Sequence, residues 1–149
     1  PVVPCKCSAL DLERYKRKLS GPIMDRIDLQ IHVPRLTPEE LLSFSNNKEN
    51  PPESSAVIRE RVIKARKIQQ ERWREYNLVC NAELPEKLVK RCLILSEDSK
   101  NYLAMMAAKL NITGRGLSRI LKVSRTIADL AGEENISKSH LAEALMYRQ

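Results

Sequence analysis

The sequence is poor in glycine, aromatic residues and histidine, and these shortages exclude several classes of protein. Aromatic residues make up 4% of the 149 residues, so a core has to be built from Leu, Ile, Val and Ala. The four glycines are not spaced as in the G-x-x-x-x-G-K-[ST] loop that binds nucleotide phosphates. The two histidines, His32 and His140, lie far apart, and no Ser/His/Asp or Cys/His set for nucleophilic catalysis is suggested. No acidic cluster follows an apolar strand to offer magnesium ligands. We therefore expect no hydrolysis of ATP by this chain alone.

Long apolar runs are also missing. No segment approaches the length of a membrane span and no secretory signal is visible, so we expect a cytoplasmic protein without a membrane partner. Its four cysteines are then expected to be reduced thiols. Cys5 and Cys7 form a Cys-x-Cys pair, which is either half of a zinc site or two free thiols, because tetrahedral zinc needs four ligands. The chain starts at Pro1 rather than Met, from which we expect a fragment or a processed product.

Positive charge is in excess. Lys and Arg number 26 against 19 Asp and Glu, which gives a formal net charge of +7 and a pI near 9.4. This balance favours polyanionic partners, such as nucleic acid or nucleotide.

Most of the chain carries the signals of helices. Ser8, with Asp11 three residues later, resembles a capping box for a helix reaching about residue 19. Thr37 followed by Pro38 starts a short helix, and the polar stretch 45–52 is interpreted as a linker. A long helix is predicted from Ser54 or Ser55 to about Tyr76, and residues 81–85 are predicted as a turn into a short helix that ends near Cys92. Further helices are predicted from Ser96 to about Lys109, from Gly114 to Ala131 with Thr113 as its cap and Gly132 as its end, and from Ser137 onward.

On the longest of these helices, one narrow arc of side chains is predicted to be buried. Basic residues are spread round its remaining surface, whereas a face that tracks DNA would be more one-sided. We interpret most of them as solvated, with nucleic-acid contact as the alternative. The residues of the predicted buried arc are Ile58, Val62, Ala65, Trp73 and Tyr76.

A half-buried strand is predicted at residues 27–33, where apolar and polar side chains alternate until Pro34 ends the pattern. Arg26 lies just before it, between Asp25 and Asp28. At the rim of a domain, its guanidinium either forms a local salt bridge with a flanking carboxylate or reaches a phosphate bound by a neighbour.

The helix that begins after Thr113 combines three features that favour an anion at its N-terminus. Free backbone N–H groups and the positive end of the helix dipole lie there. Gly114 and Gly116 allow another group to approach the backbone closely. Arg115 lies in the first turn, where its planar guanidinium can bind a phosphate bidentately.

The same helix has an alternative interpretation, as an ordinary amphipathic helix with a basic outer face. Arg119, Lys122 and Arg125 are the candidates for nucleic-acid contact on that face. At 100° per residue they share one sector with Arg115 and Asp129, opposite Leu117, Leu121, Ser124 and Ala128.

Two stretches of the sequence resemble the magnesium-chelatase-like AAA+ ATPases, and within them the competence-associated ComM/YifB type. The first is residues 15–34, with Asp25-Arg26-Ile27-Asp28-Leu29 at its centre, and the second is residues 113–148. The resemblance implies that Arg26 is the arginine finger that reaches the nucleotide of the adjacent subunit. It implies that Arg115 is the sensor-2 arginine, which touches the γ-phosphate, with Gly114 and Gly116 beside the nucleotide.

The fold class implied is mainly α: a helical-bundle lid domain of an AAA+ ATPase, preceded by a helix and the last strand of the α/β core. Residues 1–35 would be the end of the core, residues 36–53 a linker and residues 54–149 the lid. ATP and magnesium would be the cofactors of the full-length protein, with none bound tightly by the fragment. Zinc would be held by Cys5 and Cys7 together with an upstream cysteine pair.

The resemblance further implies a homo-oligomeric ring, a hexamer, that acts as a motor on DNA during branch migration and recombination. Two alternatives remain open at this point. One is a subunit of a magnesium-chelatase-type metal insertase. The other is a basic helical DNA-binding or adaptor module without a nucleotide role.

Overall fold

A computed structural model describes residues 6–18, 21–24, 26–39 and 53–148 of the chain, and within these ranges the regular structure is helical. This confirms the mainly α fold. The helices are α1 (Ala9–Arg17), α2 (Gly21–Met24), α3 (Ser55–Trp73), α4 (Glu86–Cys92), α5 (Glu97–Lys109), α6 (Gly114–Ala131) and α7 (Lys138–Met146), with short 3₁₀ turns at Arg74–Tyr76 and Asn81–Glu83.

Helices α1, α3, α5 and α6 begin where the sequence predicts, because side-chain oxygens satisfy backbone N–H groups of their first turns. The Ser54 hydroxyl accepts from the Val57 N–H at 3.4 Å, and the Ser96 hydroxyl accepts from the Ser99 N–H at 3.3 Å. At the other end of α6, Gly132 adopts φ of 74°, a left-handed conformation that ends the helix.

Helix α6 is the centre of the molecule. It packs against α3, α4 and α7, while α5 packs on α7. A single parallel bridge joins Leu95 to Ile136. The core is aliphatic except for one tryptophan, as the composition predicts, and it consists of Trp73, Leu84, Val89, Leu93, Leu95, Leu103, Ile120, Leu121, Ile136, Leu141, Ala144 and Leu145.

The strand predicted at residues 27–33 is not formed in this chain, and this corrects the prediction. The segment is extended, but no ladder bond pairs it with another strand in the described residues. A strand needs a neighbour to satisfy its backbone groups, and the described chain supplies none beside it. Its apolar side chains are consequently exposed, Ile31 by 68% and Val33 by 81%.

The buried face predicted for α3 is only partly correct. Ala65 and Trp73 are buried, but Ile58, Val62 and Tyr76 are each more than a third exposed. The early turns of α3 border residues 129–132 at the end of α6 across an open cleft. Their apolar side chains therefore lack a covering element in the described chain.

Helix α1 is correctly predicted, including the reciprocal bonds between Ser8 and Asp11, but it buries no residue. Pro38 and Glu39 are helical, as the Thr37 signal predicts. The rest of that helix and the predicted linker at residues 45–52 lie outside the described residues. No helix in the described ranges is both long enough and apolar enough to span a membrane.

Candidate functional site

The first turn of α6 has the geometry of an anion-binding helix end. The Thr113 hydroxyl accepts from the Gly116 N–H at 3.1 Å and so caps the helix. Arg115 lies in this turn and is exposed, and no ion pair joins it to a carboxylate anywhere in the described residues. A phosphate approaching this turn would meet backbone N–H groups, the positive end of the dipole and a guanidinium.

Two side chains approach the Gly116 α carbon closely. A β carbon at this position would lie 3.0 Å from the Ile112 side chain and 3.2 Å from the Arg148 guanidinium. The same guanidinium donates to the Gly116 carbonyl at 3.4 Å. Gly114, in contrast, has open space around it. The two glycines therefore differ: Gly116 leaves space for the Ile112 and Arg148 side chains, and Gly114 leaves the N-terminus of α6 accessible.

A cleft of about 620 Å³ lies beside this turn. Thr113 and Arg148 lie at its polar edge, and the remaining wall is largely apolar. It is lined by Tyr102, Met106, Leu110, Asn111, Ile112, Thr113, Ala142, Leu145, Met146 and Arg148. Arg115 borders the capped turn but does not line this cleft.

The other basic side chains of α6 are bonded within the chain. Arg119 forms an ion pair with Asp28, across 91 residues of sequence. The Lys122 ammonium donates to the Ala82 carbonyl at 2.9 Å. Of the four basic side chains of α6, only Arg115 has no bonded partner among the described residues.

Arg125 is not on a solvated basic face, and this part of the sequence interpretation is wrong. It is only 4% exposed, and its Nε donates to Asp129 at 3.0 Å while its Nη atoms bond to the Glu133 and Glu134 carbonyls. Burial lowers the pKa of the Arg125 guanidinium below its ordinary value, and the Asp129 carboxylate opposes that shift.

Asp129 is the centre of a buried polar network. Arg72 from α3 binds it with two parallel bonds of 3.0 and 2.7 Å. The Asn81 amide donates to it at 2.8 Å, and the Asn81 side-chain oxygen accepts from the Trp73 indole N–H at 2.7 Å. No buried side-chain nitrogen or oxygen in the described residues lacks a partner. The network thus joins α3, the 3₁₀ turn and α6 into one body.

Arg26 lies where α2 ends. Its backbone N–H donates to the Ile23 carbonyl at 2.9 Å, which continues the last turn of that helix. The side chain is exposed. Asp28, one of the two flanking acids, is bound by Arg119 and not by Arg26, while Asp25 lies outside the described residues.

The described residues do not form a metal site. They contain no group of three or more His, Cys, Asp or Glu side chains suited to one ion. Cys7 is exposed and not in a disulfide, and Cys5 lies outside the described residues. The donors at the α6 turn are N–H groups and a guanidinium, which fit a phosphate and do not fit a cation.

Comparison with known proteins identifies the family. The model for "Magnesium chelatase, subunit ChlI C-terminal" matches residues 52–148. The chain belongs to this magnesium chelatase family. A second model, "Magnesium chelatase, subunit ChlI", matches residues 1–41. The resemblance stated from the sequence is therefore confirmed.

Individual relatives agree with the family match. Competence protein ComM of Haemophilus influenzae is 43% identical over 143 residues, which is 96% of this chain and 26% of that protein. The protein YifB of Salmonella typhimurium is 36% identical over 143 residues, 96% of this chain and 27% of its own length. YifB of Escherichia coli is 37% identical with the same coverage. The chain thus spans about a quarter of the length of these relatives and corresponds to a C-terminal helical lid region.

Sequence reasoning missed three contacts of this family member. These are the Asp28–Arg119 ion pair, the Arg148–Gly116 contact and the Arg72–Asp129 pair. The sequence carried a signal only for the charge cluster around Asp129. Arg125 and Asp129 are four residues apart on one helix, a spacing that brings opposite charges together.

Proposed function

We propose that the full-length protein is a ring-forming AAA+ ATPase, and that this chain supplies the end of its core and its helical lid. Arg115 acts in cis on the terminal phosphate of ATP bound by its own subunit. Arg26 acts in trans, on the nucleotide of the adjacent subunit. We place magnesium with the phosphate-binding part of the full-length protein; the described residues contain no cluster of three or more His, Cys, Asp or Glu side chains that could hold a metal ion.

One observation carries this proposal. Among the four basic side chains of α6, three are bonded to groups of this chain, and Arg115 is left exposed at the helix end that favours anions. The family match supports the same assignment. A solvated basic face would leave all four side chains in water.

The two arginines are proposed to act on the chemical step. Negative charge spreads over the oxygens of the transferred phosphoryl group, and a guanidinium aimed at them stabilises the transition state more than the ground state. Loss of an arginine finger costs roughly 10³-fold or more in turnover. Arg26→Ala in the full-length protein should therefore abolish ATPase activity while nucleotide binding persists, and Arg115→Ala should slow hydrolysis and weaken binding.

Subunit mixing separates cis from trans action. Arg26→Ala subunits are combined with subunits whose phosphate-binding lysine is replaced, and ATPase activity is measured against each variant alone. Recovery is expected, because intact nucleotide sites then meet intact fingers at some interfaces. Arg59→Ala, an exposed arginine on α3, is the matched control and should keep full turnover. Wild-type turnover in Arg26→Ala would overturn the trans assignment.

We further propose that the ring is a hexamer that works on DNA in branch migration and recombination, in the cytoplasm. The net charge of +7 supports a polyanionic partner. Steep salt dependence of duplex binding by the full-length protein would agree with this. Duplex binding that is independent of ATP, together with unaltered turnover in both arginine variants, would favour the adaptor alternative. Zinc binding by Cys5 and Cys7 stays a prediction for the full-length protein, to be checked by metal analysis.

A further inference from the structure

The segment that follows Arg26 is attached to the lid at two points. The Asp28 carboxylate is bound by Arg119 of α6. Two residues later, the Gln30 backbone N–H donates to the Tyr147 carbonyl at 2.7 Å. Both contacts join parts of the chain that are about a hundred residues apart in sequence, so local propensity does not explain them. We call residues 26–31 the finger segment.

The finger segment is short and its start is also anchored. The Arg26 and Ile27 N–H groups donate to the Ile23 and Met24 carbonyls at 2.9 and 3.2 Å, which ties them to the end of α2. Asp28 follows Arg26 by two residues, so the chain between the anchored turn and the Arg119 contact has little slack. We therefore expect a shift of α6 to displace the backbone that carries Arg26.

Side-chain packing between the finger segment and the lid is incomplete. Leu29 and Ile31 are 49% and 68% exposed, and an open groove of about 360 Å³ separates this segment from α6 and the end of the chain. Apolar contact is thus too sparse to fix the position of the segment, and the two polar contacts have to do so.

Asp28 is also near enough to Arg26 in sequence to form an ion pair with it. A carboxylate two residues from a guanidinium is a ready local ion-pair partner, and an Arg26 neutralised in this way would lose the charge that a finger needs. Arg119 occupies that carboxylate. Arg119 itself is four residues after Arg115, on the same side of α6 and one turn away.

We infer that Arg119 is a positioning residue for the trans-acting Arg26: it holds Asp28, which fixes the finger segment on the lid and keeps the Asp28 carboxylate from pairing with Arg26. This inference rests on the proposed function. It assigns Arg119 to the finger of its own subunit and not to nucleic acid or to its own nucleotide. It also makes the placement of the finger depend on the helix that carries Arg115.

Charge reversal tests the inference in the full-length protein. Exposed ion pairs are weak, so Arg119→Ala should lower kcat only about two- to fivefold. Arg119→Asp adds repulsion from Asp28 and should lower kcat about tenfold, with little change in the KM for ATP. The swapped double variant Asp28→Arg/Arg119→Asp should recover most of the loss. Lys138→Asp breaks a different ion pair between two helices, with Asp98, and should leave turnover unchanged.

Subunit mixing then shows which site Arg119 serves. Arg119→Asp subunits are mixed with the same subunits whose phosphate-binding lysine is replaced. They should recover activity, as is expected of Arg26→Ala subunits, because their own nucleotide sites are intact. Arg115→Ala subunits should not recover, since their defect is in cis. If Arg119→Asp subunits fold poorly, Arg119→Gln carries the same test.

The outcomes are distinguishable. If Arg26→Ala is complemented and the Arg119 variant is not, Arg119 acts on its own nucleotide and the inference is overturned, while the proposed function stands. The swapped double variant remaining as inactive as Arg119→Asp would also overturn it. If Arg26→Ala itself is not complemented, the proposed function fails first.

Discussion

Replacing Asp129 by Asn should destabilise the helical domain strongly, although the two side chains have nearly the same shape. The Asp129 side chain is fully buried, and its partners Arg125 and Arg72 are 5% and 25% exposed. The substitution removes the carboxylate that forms ion pairs with both guanidinium groups. It also places an NH₂ donor opposite an N–H donor, so at least one of the present bonds is lost.

The size of the effect follows from burial. Breaking a buried ion pair by removing one partner costs about 3–5 kcal/mol, because the remaining charge is left without compensation. Arg72 is partly exposed and can turn toward solvent, whereas Arg125 cannot, so we expect the lower end, about 3 kcal/mol. With an m-value of about 1.5–2 kcal/mol/M, the urea midpoint should fall by roughly 1.5–2 M.

The assay is urea unfolding of the 149-residue chain, followed by far-UV circular dichroism and by Trp73 fluorescence. Asp98→Asn is the matched control, because Asp98 is paired with Lys138 but its side chain is 82% exposed. Exposed pairs contribute about 0–1 kcal/mol, so this variant should unfold near the wild-type midpoint. Equal midpoints for the two Asn variants would refute the claim that the buried network stabilises the lid.

Three further predictions concern other elements. Gly116→Ala should be less stable than Gly114→Ala, because the added β carbon crowds the Ile112 and Arg148 side chains at residue 116 and meets open space at residue 114. Urea midpoints compare the two variants, and equal midpoints would contradict the close approach. Hydrogen bonds from Ser8 lower the pKa of Asp11. The ionised carboxylate therefore stabilises α1 above its ordinary pKa of about 4, and this stabilisation is lost as the pH falls through the lowered pKa. NMR secondary shifts should show α1 fraying in acid, and a pH response unchanged by Ser8→Ala would argue against this. In the isolated chain, amides of residues 27–33 should exchange faster than those of α6, and stronger protection in that segment would mean that it is ordered without a sheet.

The sequence by itself determined most of the helices and the family. The start of a helix depends on contacts within one turn, so Ser54, Ser96 and Thr113 predict helix starts whatever the tertiary structure is. The left-handed end of α6 at Gly132 is equally local. Arg26 and Arg115 are also proposed from the sequence alone, because the residues beside them carry the family resemblance.

Only the tertiary structure decided which charges are buried and which segments are paired. Arg125 and Arg119 lie on the same helix and look alike in sequence. Arg125, however, is buried and bonded to Asp129, whereas Arg119 pairs with Asp28 from a distant part of the chain. Spacing along a helix places a side chain in a sector, but what faces that sector depends on elements far away in sequence. The strand at residues 27–33 fails for the same reason, since alternation predicts a half-buried strand only where another strand lies beside it.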